Sequence, residues 1–126
     1  MNKLTTLLLL IMCQCVVALP IQGTMDAVNI DFPPKQPVVI KNNKSSPVQY
    51  MCEMHVNTSS ASDNTLFIKQ LNGDSVVNGT TLPKGHTLYL TIRPLQTLSI
   101  IANQAANIQF TNLGAYLMRG NCYISP

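Results

Sequence analysis

The chain opens on an apolar run from Leu4 to Val17, broken only by Thr5, Thr6 and Gln14, with Lys3 ahead of it and the small residues Val16-Val17-Ala18 at its end. A positive start, a short apolar stretch and small residues before a cut make a secretory signal, so Met1 to Ala18 reads as a peptide removed on export. At about 14 residues the run is too short for a spanning helix. No later segment is long or apolar enough to cross a membrane, so none is expected after cleavage. Met12 and Gln14 stand before Cys13 and Cys15, where a lipid-modified cysteine needs a small residue, and this argues against a lipid anchor.

Beyond the signal the pattern changes to a period of two. Leu19 to Met25 is small and turn-prone and reads as a loose lead-in. Val28, Ile30 and Phe32 alternate with Asn29 and Asp31 until Pro33-Pro34 stops them, and Val38 to Ile40 resumes an extended run. Lys41 to Pro47 is polar throughout, so a loop without an apolar anchor is expected there, fully exposed. The clearest strand is Val48 to Val56: Val48, Tyr50, Cys52, Met54 and Val56 share one face, and Gln49, Met51, Glu53 and His55 share the other.

Thr65 to Leu71 is a further short strand. It ends at Asn72-Gly73, which suits a tight hairpin turn with Val76-Val77 as the return. Asn78-Gly79 and Pro83-Lys84-Gly85 mark more turns, after which Leu88, Leu90 and Ile92 alternate up to Pro94. Leu95 to Asn107 fits two periods, Leu98, Ile101, Ala102 and Ala105 for a helix or Leu98, Ile100 and Ala102 for a strand. The β-branched bulk at Ile100-Ile101 and the lack of a capping pair favour a strand followed by a turn. Ile108 and Phe110 alternate next, Asn112-Leu113-Gly114 turns the chain, and Tyr116, Met118, Cys122 and Ile124 fall on one parity with Gly120 between them.

The expected fold is therefore all-β: one antiparallel, Ig-like β-sandwich of about seven to nine short strands spanning residues 19–126. The chain has no tryptophan, so the likeness is of architecture and not of an immunoglobulin domain. Signal removal leaves two of the four cysteines, Cys52 and Cys122, both inward by parity and expected to bond to each other across the two facing sheets. In the chain-entropy picture a loop of that length is worth roughly 4 kcal/mol, a large share of a small domain's stability.

Charged residues make up only 10% of the chain, so the polar surface is built from amides and hydroxyls. After the signal, seven cations face five acids, scattered singly without aromatics between clustered bases, which argues against nucleic-acid binding. Met51-Cys52-Glu53-Met54-His55 gathers soft sulfur and imidazole donors. The alternation of a strand splits them between two faces, leaving Met51 and His55, joined by His86, as an alternative periplasmic copper site. Hydrolysis would need His55 or His86 to meet Asp63 or Asp74 and a serine, but no turn motif exposes a nucleophile, so no enzyme and no cofactor are expected. Asn43-Lys44-Ser45, Asn57-Thr58-Ser59 and Asn78-Gly79-Thr80 fit the N-glycosylation pattern, as an Asn-rich chain does easily.

What remains is an exported, non-catalytic interaction module that binds a protein or glycan at the cell surface, in the periplasm or on a host. The loops Lys41 to Pro47, Asn57 to Asn64 and Gly73 to Gly85 are its candidate binding end, and Tyr89, Arg93 and Tyr123, off the apolar phase, are candidate partner contacts. The alternative is a structural subunit of a surface assembly, joined by strand addition at the proline-interrupted edge from Asp26 to Ile40.

Overall fold

The computed structural model describes residues 26–56 and 64–126. The signal segment, the lead-in, the Asn57 sequon and Asp63 lie outside the described residues. Ten strands and no helix are present among those described: β1 (Asp26–Phe32), β2 (Pro37–Lys41), β3 (Val48–Val56), β4 (Asn64–Asn72), β5 (Ser75–Val77), β6 (Thr80–Leu82), β7 (Thr87–Ile92), β8 (Thr97–Ala102), β9 (Asn107–Asn112) and β10 (Met118–Ser125). The very short β5 and β6 account for the excess over the expected seven to nine or so.

Two antiparallel sheets form the predicted sandwich. Sheet A has the order β1-β10-β3-β8-β5-β6 and sheet B the order β2-β9-β4-β7. Apart from the β5–β6 hairpin, every consecutive pair of strands lies in different sheets, so the chain wraps the core as a jelly roll. Alternation explains the core: Met54, Leu98, Ile100 and Met118 project from sheet A and Leu66, Ile68, Ile92 and Ile108 from sheet B. Phe32 and Phe110 meet between them, with ring centroids 5.6 Å apart. The ambiguous 95–107 segment resolves as β8, a turn and the start of β9, with Leu98, Ile100 and Ala102 buried at strand spacing.

One turn expectation needs correction, and another is sharpened. Asn72-Gly73 does not close a hairpin, because β4 and β5 belong to different sheets; Gly73 (φ 63°) instead lets the chain pass against the backbone of Ala106, 3.0 Å from where a Cβ would stand. The hairpin is at Asn78-Gly79, where both residues have positive φ (47° and 80°) and Val77 pairs with Thr80, the two-residue turn whose twist matches a β-ribbon.

The disulfide is present, with a different geometry from the one expected. Cys52 of β3 and Cys122 of β10 are direct cross-strand partners with Cα atoms 3.9 Å apart, so the bond joins neighbouring strands of sheet A and not the two sheets. Parity gives the face a residue occupies; it does not say which sheet its partner is in. Gly120 makes room for the sulfurs, since a Cβ there would lie 3.2 Å from Cys122 Sγ and 3.3 Å from Met54 Sδ.

The Lys41 to Pro47 loop is anchored after all, by a polar side chain. Asn42 is only 3% exposed. Its Nδ2 donates to the carbonyls of Ser46 (2.8 Å), Ala102 (3.0 Å) and Asn103 (3.1 Å), and its Oδ1 accepts from the Lys44 N–H at 2.9 Å. Asn112 does the same after β9: Nδ2 donates to Phe32 O and Tyr116 O, and Oδ1 accepts from the Gly114 N–H. Tyr116, placed in the core phase by parity, is exposed in this second loop.

Candidate functional site

Loops tied together at one end of the sandwich create an open cleft of about 440 Å³. The β2–β3 loop contributes Asn42, Asn43, Lys44 and Ser45, the end of β4 contributes Asn72, and the β8–β9 segment contributes Gln104, Ala105 and Asn107. Its frame is fixed by hydrogen bonds. Asn42 links the first loop to the β8–β9 turn through side chain and backbone alike, its N–H donating to Ala106 O at 2.9 Å. Asn72 Nδ2 donates to Ala105 O (3.2 Å), and Asn103 Nδ2 donates to Asp74 Oδ2 (3.0 Å), fastening the β4–β5 turn to the same place.

Ala105 holds a left-handed backbone (φ 61°), a conformation that costs a residue with a Cβ about 1–2 kcal/mol. The rim is almost wholly amide and hydroxyl: Asn43, Gln104 and Ser45 are exposed, Asn107 is half-buried, and Lys44 adds one positive charge. Such groups donate and accept at once, which matches vicinal hydroxyls. Beneath the rim, Gln70 is buried and its Nε2 donates to Asn72 O at 2.9 Å.

The other sequence-derived candidates do not gather here. Tyr89 (66% exposed) is on the outer face of sheet B, where its ring tilts against Phe67 with centroids 4.8 Å apart. Arg93 follows β7 at the opposite end from the cleft, its N–H donating to Gln96 Oε1 at 3.0 Å. Tyr123 (57% exposed) is on the outer face of sheet A, on the far side of the sandwich from Tyr89, so the three are not one patch. Of the three loops taken for one binding end, Lys41–Pro47 and the Gly73 turn meet at the cleft. Asn64 sits at the opposite end, bonded to Tyr116 O.

The copper alternative also fails to assemble. Met51 and His55 share the outer face of β3 but stand four residues apart, about 13 Å by strand rise, and Met51 Sδ lies 3.5 Å from Gln49 Nε2, on the side away from His55. His86 lies in the β6–β7 loop, its carbonyl accepting from the Gln70 N–H. Among the described residues no three His, Cys, Asp or Glu side chains cluster to hold a metal. His55 Nε2 instead lies 3.0 Å from Glu53 Oε1.

Periodicity pointed to the β2–β3 loop and missed Asn72, Gln104 and Asn107, which carry no alternation signal. The available clue was the density of amides, Asn42-Asn43 and Asn103-Gln104 with Asn107, near two strand ends.

Comparison with known proteins gives little to set beside this geometry. No family model and no curated protein matches the chain. A solved structure, reported under the words "Bacillus endospore appendages form a novel family of disulfide-linked pili", is similar at 22% identity over 79% of this chain and 90% of that one, with a TM-score of 0.27. A likeness of that size establishes neither shared fold nor shared role.

Proposed function

We propose that the protein is an exported, non-catalytic binding module whose end cleft takes a hydroxyl-rich ligand, a glycan. The observation that carries this reading is the cleft itself: a frame fixed by Asn42 and Asn72, a left-handed Ala105 in its floor and free amides of Asn43, Gln104 and Asn107 at its rim. A frame tied by hydrogen bonds on three sides holds the rim groups in place before a ligand arrives, which lowers the ordering cost of binding. Export is supported by the Cys52–Cys122 bond, since disulfides persist in oxidising compartments.

The test is binding to an array of surface polysaccharides and oligosaccharides. The reading expects at least one saccharide to bind, with affinity falling about tenfold, or 1.4 kcal/mol, in the Asn43→Ala/Gln104→Ala double variant. Binding unchanged by that pair, or no saccharide bound at all, overturns it.

One observation favours a second reading as a structural subunit. The edge predicted from Asp26 to Ile40 is in fact two edges, β1 of sheet A and β2 of sheet B. β1 is seven residues long and largely exposed, with neither proline nor lysine within it to block another strand. Strand addition there would give concentration-dependent oligomers that persist at high salt.

A further inference from the structure

The outer face of sheet B has a chemistry the cleft does not exhaust. Cross-strand register sets its rows: Lys41 with Asn107, then Val39, Gln109, Lys69 and Thr87, then Pro37, Thr111, Phe67 and Tyr89. Asn107, which lines the cleft, thus begins a ladder of hydrogen-bonding side chains, Asn107, Gln109 and Thr111, that runs outward along β9 to the Phe67–Tyr89 pair. The run from 107 to 111 covers about 13 Å by strand rise, the length of a few sugar rings.

Charge separates the two sheets. The strands of sheet B carry Lys41 and Lys69 and no acid, whereas those of sheet A carry Asp26, Asp31 and Glu53 with Arg119. Lysines flanking an amide ladder that ends on the exposed ring of Tyr89 and the half-buried ring of Phe67 fit a chain offering hydroxyls, apolar ring faces and negative charge. We infer that the outer face of sheet B is a track for an acidic polysaccharide, entering at the cleft and stacking a sugar ring on Tyr89 and Phe67. The inference rests on the glycan reading of the cleft.

A second copy of the chain is a poorer occupant. Of the acids on the strands of sheet A, Asp31 is held by Arg119 and Asp26 falls by register on the opposite face from Glu53, so a second copy offers Glu53 alone as an outward carboxylate beyond that pair.

The probe is fluorescein-labelled polygalacturonate, read by anisotropy against neutral dextran and oligothymidylate, with sedimentation of the protein alone alongside. Polygalacturonate is expected to bind more tightly than either comparator, and to weaken about tenfold in the Lys41→Glu/Lys69→Glu variant and as salt rises from 0.05 to about 0.5 M. Tyr89→Ala should weaken it severalfold, while Glu53→Gln on sheet A leaves it unchanged. Equal binding of dextran or oligothymidylate, or full binding by the lysine and tyrosine variants, overturns the track. Salt-sensitive self-association abolished by Lys69→Glu would give the face to a second copy and also overturns it. The track variants leave the cleft intact, so their failure is read apart from that of the Asn43→Ala/Gln104→Ala pair, which tests the cleft alone.

Discussion

Arg119 grips Asp31 with two hydrogen bonds, Nε to Oδ1 at 2.6 Å and Nη2 to Oδ2 at 3.1 Å, across the pairing of β10 with the edge strand β1. The hydrogen bonds from Arg119 hold the Asp31 carboxyl below its ordinary range. A lowered carboxyl stabilises the fold above the unfolded-state value, near 3.8, and that contribution is lost as pH falls through the folded-state value. Because both partners are solvent-exposed, the expected effect is local. Amide exchange of β1 should stay slow from neutral pH down to about 4 and quicken relative to β8 in stronger acid. Asp31→Asn should remove that acid dependence; a β1 that loosens equally in both proteins would contradict the assignment.

The Cys52–Cys122 bond closes a loop with a sequence separation of 70, so its reduction should lower stability by roughly 4 kcal/mol. With a urea slope of about 1–3 kcal/mol/M for a domain of this size, the midpoint should fall by roughly 1 to 4 M. Since the bond runs within sheet A, the reduced protein should keep its far-ultraviolet β spectrum while folded. Equal midpoints with and without reductant would refute this.

Asn42 and Asn112 each hold one loop through buried amide contacts, so Asn42→Ala and Asn112→Ala should each cost about 2–3 kcal/mol by leaving buried carbonyls unpaired. Asn→Asp at either position should be at least as damaging despite its matched size, because a carboxylate cannot donate to those carbonyls. Denaturation midpoints of the four variants decide it, and an Asp variant as stable as the parent would show that size alone mattered.

Backbone sign separates three further changes. Ala105→Gly should stabilise by about 1 kcal/mol by relieving a left-handed residue that carries a Cβ. Gly79→Ala, with nothing within 4 Å of its would-be Cβ, should lose about 1 kcal/mol for conformation alone. Gly73→Ala should lose clearly more, since its Cβ would also press on the Ala106 backbone at 3.0 Å. Melting temperatures ordered in any other way would refute the reading of these turns.

The two-sheet architecture was legible because burial follows alternation. Tyr50, Cys52 and Met54 on β3, and Leu98, Ile100 and Ala102 on β8, are inward as their spacing requires. The choice of partner strand was not legible. Asn72-Gly73 and Asn78-Gly79 offer the same dipeptide, yet one carries the chain to the other sheet and the second closes a hairpin, a difference set by what packs on each turn. The cysteines show the same limit, inward by pattern but neighbours in one sheet only by winding. The cleft was hidden for another reason. Its anchors are amides, and Asn42 looks identical in sequence to its exposed neighbour Asn43, although only one finds three carbonyls within reach.

The jelly-roll winding also dictates a timetable. β1 has β10 as its neighbour in sheet A, with Asp26 opposite Ile124 and Phe32 opposite Met118. β1 therefore waits for β10, and Cys52 waits for a thiol synthesised 70 residues later. β1 has no partner in its own sheet while the strands between it and β10 are being made, and sheet A closes on that side only once β10 is in place.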